Sequence, residues 1–162
     1  MKYTNISTSP KLFILAGMPG CGKTTWARTF FPFESIVSSD EIREEKWPGE
    51  PYDKDHNAEV FDEFHRRITN LLDENIGAIA DATSLNHYAR LKLLTIANYH
   101  DAEKHLIFFD NPIQAMIRND QRTGAERVPR EDQEIMYEKH RKSRYAILNE
   151  HYTSITIIEE TS

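Results

Sequence analysis

Cysteine is nearly absent from this sequence: Cys21 is the only one in 162 residues, so no disulfide can close within the chain. Long apolar runs are missing too. The most apolar early stretch, Leu12 to Ala16, is far short of the roughly 20 residues that span a bilayer, so no membrane segment is expected. No basic segment leads into such a run at the N-terminus, which removes the pattern of a secretory signal. An intracellular, cytoplasmic protein is the expectation. Positive charge is in deficit: 20 Lys and Arg stand against 26 Asp and Glu, a net charge of −6. A surface that is basic throughout is therefore excluded, and any nucleic-acid contact has to be local. The seven His show no paired spacing of a zinc site and read as structural or surface residues. There is no internal repeat, no low-complexity tract and no N-K-x-D guanine-reading motif, which argues against a GTPase switch.

What is present suffices for a globular core. Apolar residues make up 39% and charged residues 28%, and the length corresponds to one compact domain over 1–162. Short apolar runs bounded by turn residues predict five strands, at Lys11–Ala16, Ser35–Val37, Ile76–Ala80, Leu106–Phe109 and Ile155–Ile158. Helical spacing lies between them. Val60, Phe61, Phe64, Ile68, Leu71 and Leu72 form one stripe. Tyr88, Leu91, Leu94 and Thr95 mark a second, and Ile135, Met136, Tyr145 and Leu148 mark parts of a charged late helix. Alternation of strand and helix predicts an α/β fold with a mostly parallel sheet. Trp47–Pro51 and Gln121–Pro129 read as loops able to move.

The strongest motif is Gly17-Met18-Pro19-Gly20-Cys21-Gly22-Lys23-Thr24, a full G-x-x-x-x-G-K-[ST] match between an apolar strand and helix-forming residues. Its glycines let backbone N–H groups close around phosphate oxygens without Cβ atoms intervening. Gly17, Gly20, Cys21, Gly22, Lys23, Thr24 and Thr25 are the expected nucleotide-binding residues. Lys23 would reach the β- and γ-phosphates of ATP, and the Thr24 hydroxyl would ligate Mg²⁺. A helix starting near Lys23 adds its positive end. Cys21 serves as a small residue in this loop.

Two acidic residues follow strands. Asp40 closes the second, in Ser38-Ser39-Asp40-Glu41-Ile42-Arg43, where a kinase needs a base for an acceptor hydroxyl. Arg43, one turn later, is placed to hold an anionic group of the acceptor. The same residues also form an S-x-x-E capping box, in which Asp40 merely favours the helix dipole. Asp81 closes the third strand in Asp81-Ala82-Thr83 and is the candidate on the metal side, through water; its alternative is a cap or turn before the next helix.

Positive charge gathers late in the chain: from Arg118 to Arg144 there are eight basic residues against six acidic ones. Arg118 and Arg122 are spaced to share one helix face, and Arg127 follows across Thr-Gly-Ala-Glu. Such a segment, about 112–130, can act as a lid that closes guanidinium groups onto transferring phosphate. A solvated charged helix is the plainer alternative.

In order and spacing, G-M-P-G-C-G-K-T-T-W-A-R, S-S-D-E-I-R, A-D-A-T and R-N-D-Q-R-T-G-A-E-R-V-P resemble polynucleotide 5′-hydroxyl kinases. The phage end-healing enzymes and the kinase domain of bacterial RNA-repair proteins are the members meant. The likeness runs from Leu12 to Ile158 and implies a P-loop kinase sandwich with a five-stranded, mostly parallel sheet and an Arg-rich helical lid. It implies a Mg²⁺-dependent transfer of the ATP γ-phosphate to 5′-OH ends of RNA or DNA. By position, Lys23 and Thr24 bind phosphates and Mg²⁺, and Asp40 is the base. Arg43 contacts the phosphate 3′ of the acceptor nucleoside, and Arg122 grips the donor phosphates beside Arg118 and Arg127. Asp81 and Thr83 belong to the acceptor side. One departure is Ser84, where related chains often carry Asn directly after Asp-x-Thr. The S-S-D-x-x-R and lid motifs are shared with small-molecule kinases and zeta-type toxins, so a metabolite or antibiotic hydroxyl is the second reading and an ATP-binding module without transfer the third.

Overall fold

A computed structural model of the chain describes residues 9–160. The first eight and last two residues of the expected domain, including the start of the segment weighed for a signal, lie outside the described residues. Among the described residues, no helix is long and apolar enough to cross a membrane.

Five strands form one sheet: β1 (Lys11–Ala16), β2 (Ile36–Ser38), β3 (Ala78–Asp81), β4 (Glu103–Asp110) and β5 (Ser154–Glu159). Their order is β2-β3-β1-β4-β5, and every pairing is parallel. Leu12, Ile14, Leu15 and Ala16 of β1 are fully buried, as are Ala78 and Ala80 of β3, which is why these strands read as continuous apolar runs. β5 forms an edge, and Ile155 and Ile157 stay exposed there. The observed bounds differ from the expected ones at the margins. Ser35 ends a short 3₁₀ turn, Ile76 and Gly77 precede β3, and β4 extends three residues earlier than its apolar core.

Among the described residues six α-helices connect the strands: α1 (Lys23–Phe30), α2 (Ser39–Lys46), α3 (Asn57–Asp73), α4 (His87–Tyr99), α5 (Pro112–Asp120) and α6 (Arg130–Ala146). In α3 the stripe Val60, Phe64, Ile68 and Leu72 is buried at the expected spacing, with Phe61 and Leu71 half-buried beside it. The face of α4 is not the expected one. Tyr88, Leu91 and Thr95 point to solvent, while Arg90, Leu93, Leu94 and Ala97 face inward. A buried arginine turns the helix: Arg90 is fully enclosed because Glu150 meets it with two bonds, at 2.8 and 3.0 Å. The late helix differs likewise. Ile135, Tyr145 and Leu148 are exposed, Met136 is half-buried, and α6 instead buries Gln133, His140 and Ser143. His140 stacks on Phe108 and bonds Asp110 at 3.0 Å, a structural role for a histidine.

Topology fixes where a ligand can sit. β1 has β3 on one side and β4 on the other, so the chain leaves the C-terminal end of β1 at the point where strand order reverses. Parallel sheets open a crevice there.

Candidate active site

The loop from Gly17 to Gly22 occupies that crevice and delivers Lys23 to the first turn of α1. Gly22 has φ +100°, and a Cβ there would meet nothing within 4 Å, so the loop is open on that side. Gly20, at φ +87°, is tight: a Cβ would lie 2.5 Å from the Ala115 carbonyl of α5. Lys23 Nζ donates to the Gly17 and Met18 carbonyls at 3.2 and 3.1 Å, so the loop curls around its own ammonium. A phosphate oxygen offers that ammonium a stronger, charge-assisted partner than a neutral carbonyl does.

Beside the loop lies a cavity of about 510 Å³. Gly22, Lys23, Thr24 and Thr25 line it, with Asp40, Arg43, Asp81, Thr83 and Arg122. Nine of the residues expected from sequence thus meet in one place. Gly17, Gly20 and Cys21 do not line it: Gly17 packs on Phe109, and the buried Cys21 thiol lies behind the loop, 3.5 Å from Lys23 Nζ. The cavity contains the open face of the loop only.

β3 carries Asp81 into the cavity, where it accepts a bond from the Thr24 hydroxyl at 2.7 Å. Asp81 therefore does not cap a helix; Asn86 caps α4. Burial pushes the Asp81 carboxyl up, against the opposing pull of Lys23 and of the Thr24 bond. A hydroxyl and a carboxylate oxygen side by side are a hard-oxygen donor set, which suits Mg²⁺ completed by phosphate and water oxygens. Among the described residues there is no cluster of three or more His, Cys, Asp or Glu suited to a metal.

Asp40 lies in the first turn of α2. Ser38 caps that helix by accepting the Glu41 N–H at 3.3 Å, so half of the capping box forms; the Glu41 side chain pairs instead with Arg28 at 2.8 Å. Asp40 takes no part in the cap. Its carboxylate retains solvent contact through the cavity, yet the surrounding walls displace most bulk water and push its pKa up. Lys23 counters this, Asp81 adds to it, and Arg122 and Arg43 counter it more weakly.

Arg43 is almost fully buried at the other end of the same helix. Nη1 donates to the Asp53 carbonyl at 3.2 Å and Nη2 to Asn57 Oδ1 at 2.8 Å, while the guanidinium lies 4.8 Å above the Tyr52 ring. Its Nε is buried without a partner. An orphaned donor on a buried charged group is costly, and since Arg43 lines the cavity an anion there would meet its charge.

The basic segment departs from its expected geometry. α5 ends at Asp120, so Arg118 and Arg122 do not share a helix face. Arg118 turns behind the loop, donating to the Gly20 carbonyl at 3.3 Å and pairing with Glu160, outside the cavity. Arg122 enters the cavity from the following loop and contacts the Glu126 carbonyl at 3.4 Å. Arg127 lines a separate hollow with Asp120 and Arg130.

Sequence reading missed the walls on α3 and α4. Asn57, Phe61 and His65 form an i, i+4, i+8 row on the cavity side of α3, opposite Tyr88 and Lys92 of α4. Phe61 was legible only as part of a core stripe. Five cations line the cavity: Lys23, Arg43, Lys92, Arg122 and Lys139. Among the described residues none of them makes an ion pair, whereas eight arginines elsewhere, Arg90 and Arg144 among them, are paired. Against them the cavity sets Asp40, Asp81 and Glu126, so an acidic chain carries an excess of positive charge here.

Comparison with known proteins agrees with this geometry. The family model described as "AAA domain" (AAA_33) matches residues 12–145. An L-seryl-tRNA(Sec) kinase of Methanococcus maripaludis is 24% identical over 134 residues, which cover 79% of this chain and 51% of that protein. Among solved structures, a chain of the Pnkp1/Rnl/Hen1 RNA repair complex superposes with a TM-score of 0.70 at 21% identity, over 91% of this chain and 48% of its own. Kti12 of Chaetomium thermophilum in complex with ADP-AlF3 superposes with a TM-score of 0.53 at 13% identity, over 91% of this chain and 88% of its own. The chain thus spans about half the length of the first two. Family match, sheet order and phosphate loop agree: the chain belongs to the AAA_33 family and carries a P-loop α/β fold.

Proposed function

We propose that this domain transfers the γ-phosphate of ATP to the 5′-OH end of RNA or DNA. One observation carries the acceptor assignment: Arg43, buried beside Asp40 in the cavity wall, has an Nε without a partner. A neutral hydroxyl offers that guanidinium only an uncharged acceptor, whereas the phosphate 3′ of a terminal nucleoside meets it with charge. The five unpaired cations support the same choice, since donor and acceptor are then both anionic. Two of the similar proteins are named for RNA, as a seryl-tRNA kinase and an RNA repair complex, which is in keeping with this choice.

In this reading the backbone of Gly17, Gly20, Cys21 and Gly22 and the side chains of Lys23, Thr24 and Thr25 hold the donor phosphates. Thr24 and Asp81, the latter through water, would hold Mg²⁺, which would supply charge neutralisation on the phosphate oxygens. Asp40 accepts the 5′-OH proton while the hydroxyl oxygen forms the new bond to phosphorus and the bond to the ADP oxygen breaks. Its raised pKa makes it a better proton acceptor than an ordinary aspartate, and Lys23 opposes that rise. Thr83 lies on the acceptor side, Arg122 faces the donor phosphates, and the lid lies within segment 112–130. Arg118 contributes by supporting the loop from behind.

The test uses γ-labelled ATP, Mg²⁺ and three acceptors: a 5′-OH strand, the same strand with a 5′-phosphate, and neutral sugar and aminoglycoside alcohols. Label on the 5′-OH strand alone is expected. Label on a neutral alcohol alone would assign the domain to small-molecule phosphorylation.

A further inference from the structure

Asn119, near the end of α5, is fully buried and joins two parts of the site. Its side-chain amide exchanges two bonds with a single residue: Nδ2 donates to the Val128 carbonyl at 2.8 Å, and Oδ1 accepts the Val128 N–H at 3.0 Å. This pairing imitates one rung of a β-ladder and closes the neck of the loop that carries Arg122. Gln133 of α6 braces the same neck, donating to Asp120 Oδ1 and to the Val128 carbonyl, both at 3.2 Å. On its other side Asn119 abuts the phosphate loop. A Cβ at Gly20 would lie 3.1 Å from the Asn119 nitrogen, so no spacer separates the loop from α5.

Within the stapled loop the geometry is looser. The Arg122 N–H donates to the Asn119 carbonyl at 3.0 Å, but among the described residues its guanidinium hydrogen-bonds only the Glu126 carbonyl, at 3.4 Å, the weak end of hydrogen bonding. Gly124 has φ +66° with open space around it. The base is fixed while the tip, including the arginine head, is free to adjust.

We propose that Asn119 is a positioning residue: by clamping Val128 it sets Arg122 against the phosphate cradle and confines lid closure to residues 121–127. α5 then belongs to the rigid frame, not to the moving lid. This rests on the reading of Arg122 as a donor-phosphate contact.

A double-mutant cycle on the full chain tests it, with Asn119→Ala, Arg122→Ala and the pair. Two quantities are read in each, affinity for a non-hydrolysable ATP analogue with Mg²⁺ and turnover on a 5′-OH strand. Asn119→Ala is expected to lower turnover at least about tenfold, since small misplacements of a catalytic group are expensive. Added to Arg122→Ala, it is expected to change either quantity by no more than about twofold. Equal losses in both backgrounds would overturn the proposal, because Asn119 would then act independently of Arg122. If the wild-type protein phosphorylates no strand, the acceptor reading fails, while the cycle on nucleotide affinity still decides this one. Should Asn119→Ala not fold, hydrogen exchange on the wild-type chain decides: the Val128 amide is expected to be protected well beyond those of Thr123 and Gly124. Exchange of Val128 as fast as theirs would refute the clamp.

Discussion

The Thr24 hydroxyl donates to the Asp81 carboxylate across 2.7 Å, joining the first turn of α1 to the end of β3. These residues lie 57 positions apart in the chain, and the pairing of β1 with β3 brings them together. Both oxygens face the cavity beside Lys23.

Asp81→Asn keeps the size of the side chain and removes its charge. It is expected to lower apparent Mg²⁺ affinity or turnover by about 10- to 100-fold, as losses around metal ligands usually do. A Mg²⁺ titration of phosphotransfer reads this as a midpoint moved to higher concentration. An unmoved midpoint with full activity would remove Asp81 from the metal side.

Asp40 has a stability signature as well as a catalytic one. Its carboxyl is pushed up chiefly by burial, so the folded state binds its proton more tightly than the unfolded state does. Stability is therefore greatest at low pH with respect to this group and falls as pH rises through the raised value. Asp40→Asn removes that loss: a higher Tm than wild type is expected at pH 7, with the gap closing as pH falls below the carboxylate range. Transfer should drop by about 10²- to 10⁴-fold, with ATP affinity retained. A variant that is both less stable and fully active contradicts the assignment.

Glu150 behaves in the opposite sense. Burial alone would raise its pKa, but bonds from Arg90, His87 and Tyr152 outweigh that and hold it at about 2. This stabilisation is present above the ordinary carboxylate value of 4.5 and is lost as pH falls toward about 2. Glu150→Ala leaves the enclosed Arg90 charge unpaired, at a cost of about 3–5 kcal/mol. Urea unfolding at pH 7 measures the loss, and the same comparison near pH 2 should show it reduced.

Gly20→Ala combines an unfavourable φ with a backbone clash against the Ala115 carbonyl. About 2–4 kcal/mol of stability should be lost, with nucleotide binding, since α5 cannot yield at a main-chain atom. Chemical unfolding and ATP titration check both.

Arg43→Lys keeps the charge but cannot donate to Asp53, Asn57 and an acceptor phosphate at once. The KM for a 5′-OH strand should rise about tenfold or more, with the KM for ATP unchanged. Equal changes in both would show a general loss of structure.

Much of this was legible in sequence because local chemistry dictated it. The phosphate loop needs its glycines, β1 and β3 are continuous apolar runs, and Asp81 closes its strand, whereas Asp40 falls two residues past β2, in the first turn of α2. What escaped depends on partners distant in the chain. The buried face of α4 follows Arg90, whose reason to be buried is Glu150, 60 residues later. Arg118 and Arg122 have helical spacing, but α5 stops at Asp120, where the Asn119 staple starts a loop. Asn57 and Tyr52 gain meaning only when Arg43 lies between them.

The central claim is a base-assisted transfer to a 5′ hydroxyl in the cavity between Lys23 and Arg43. Single-turnover transfer from γ-labelled ATP to a 5′-OH strand, compared between wild type and Asp40→Asn, tests it most directly. Label at the 5′ end with wild type, and almost none with an Asp40→Asn protein that still binds ATP, is the predicted result. No labelled strand from a wild-type protein that binds ATP, or equal labelling by both proteins, would contradict it.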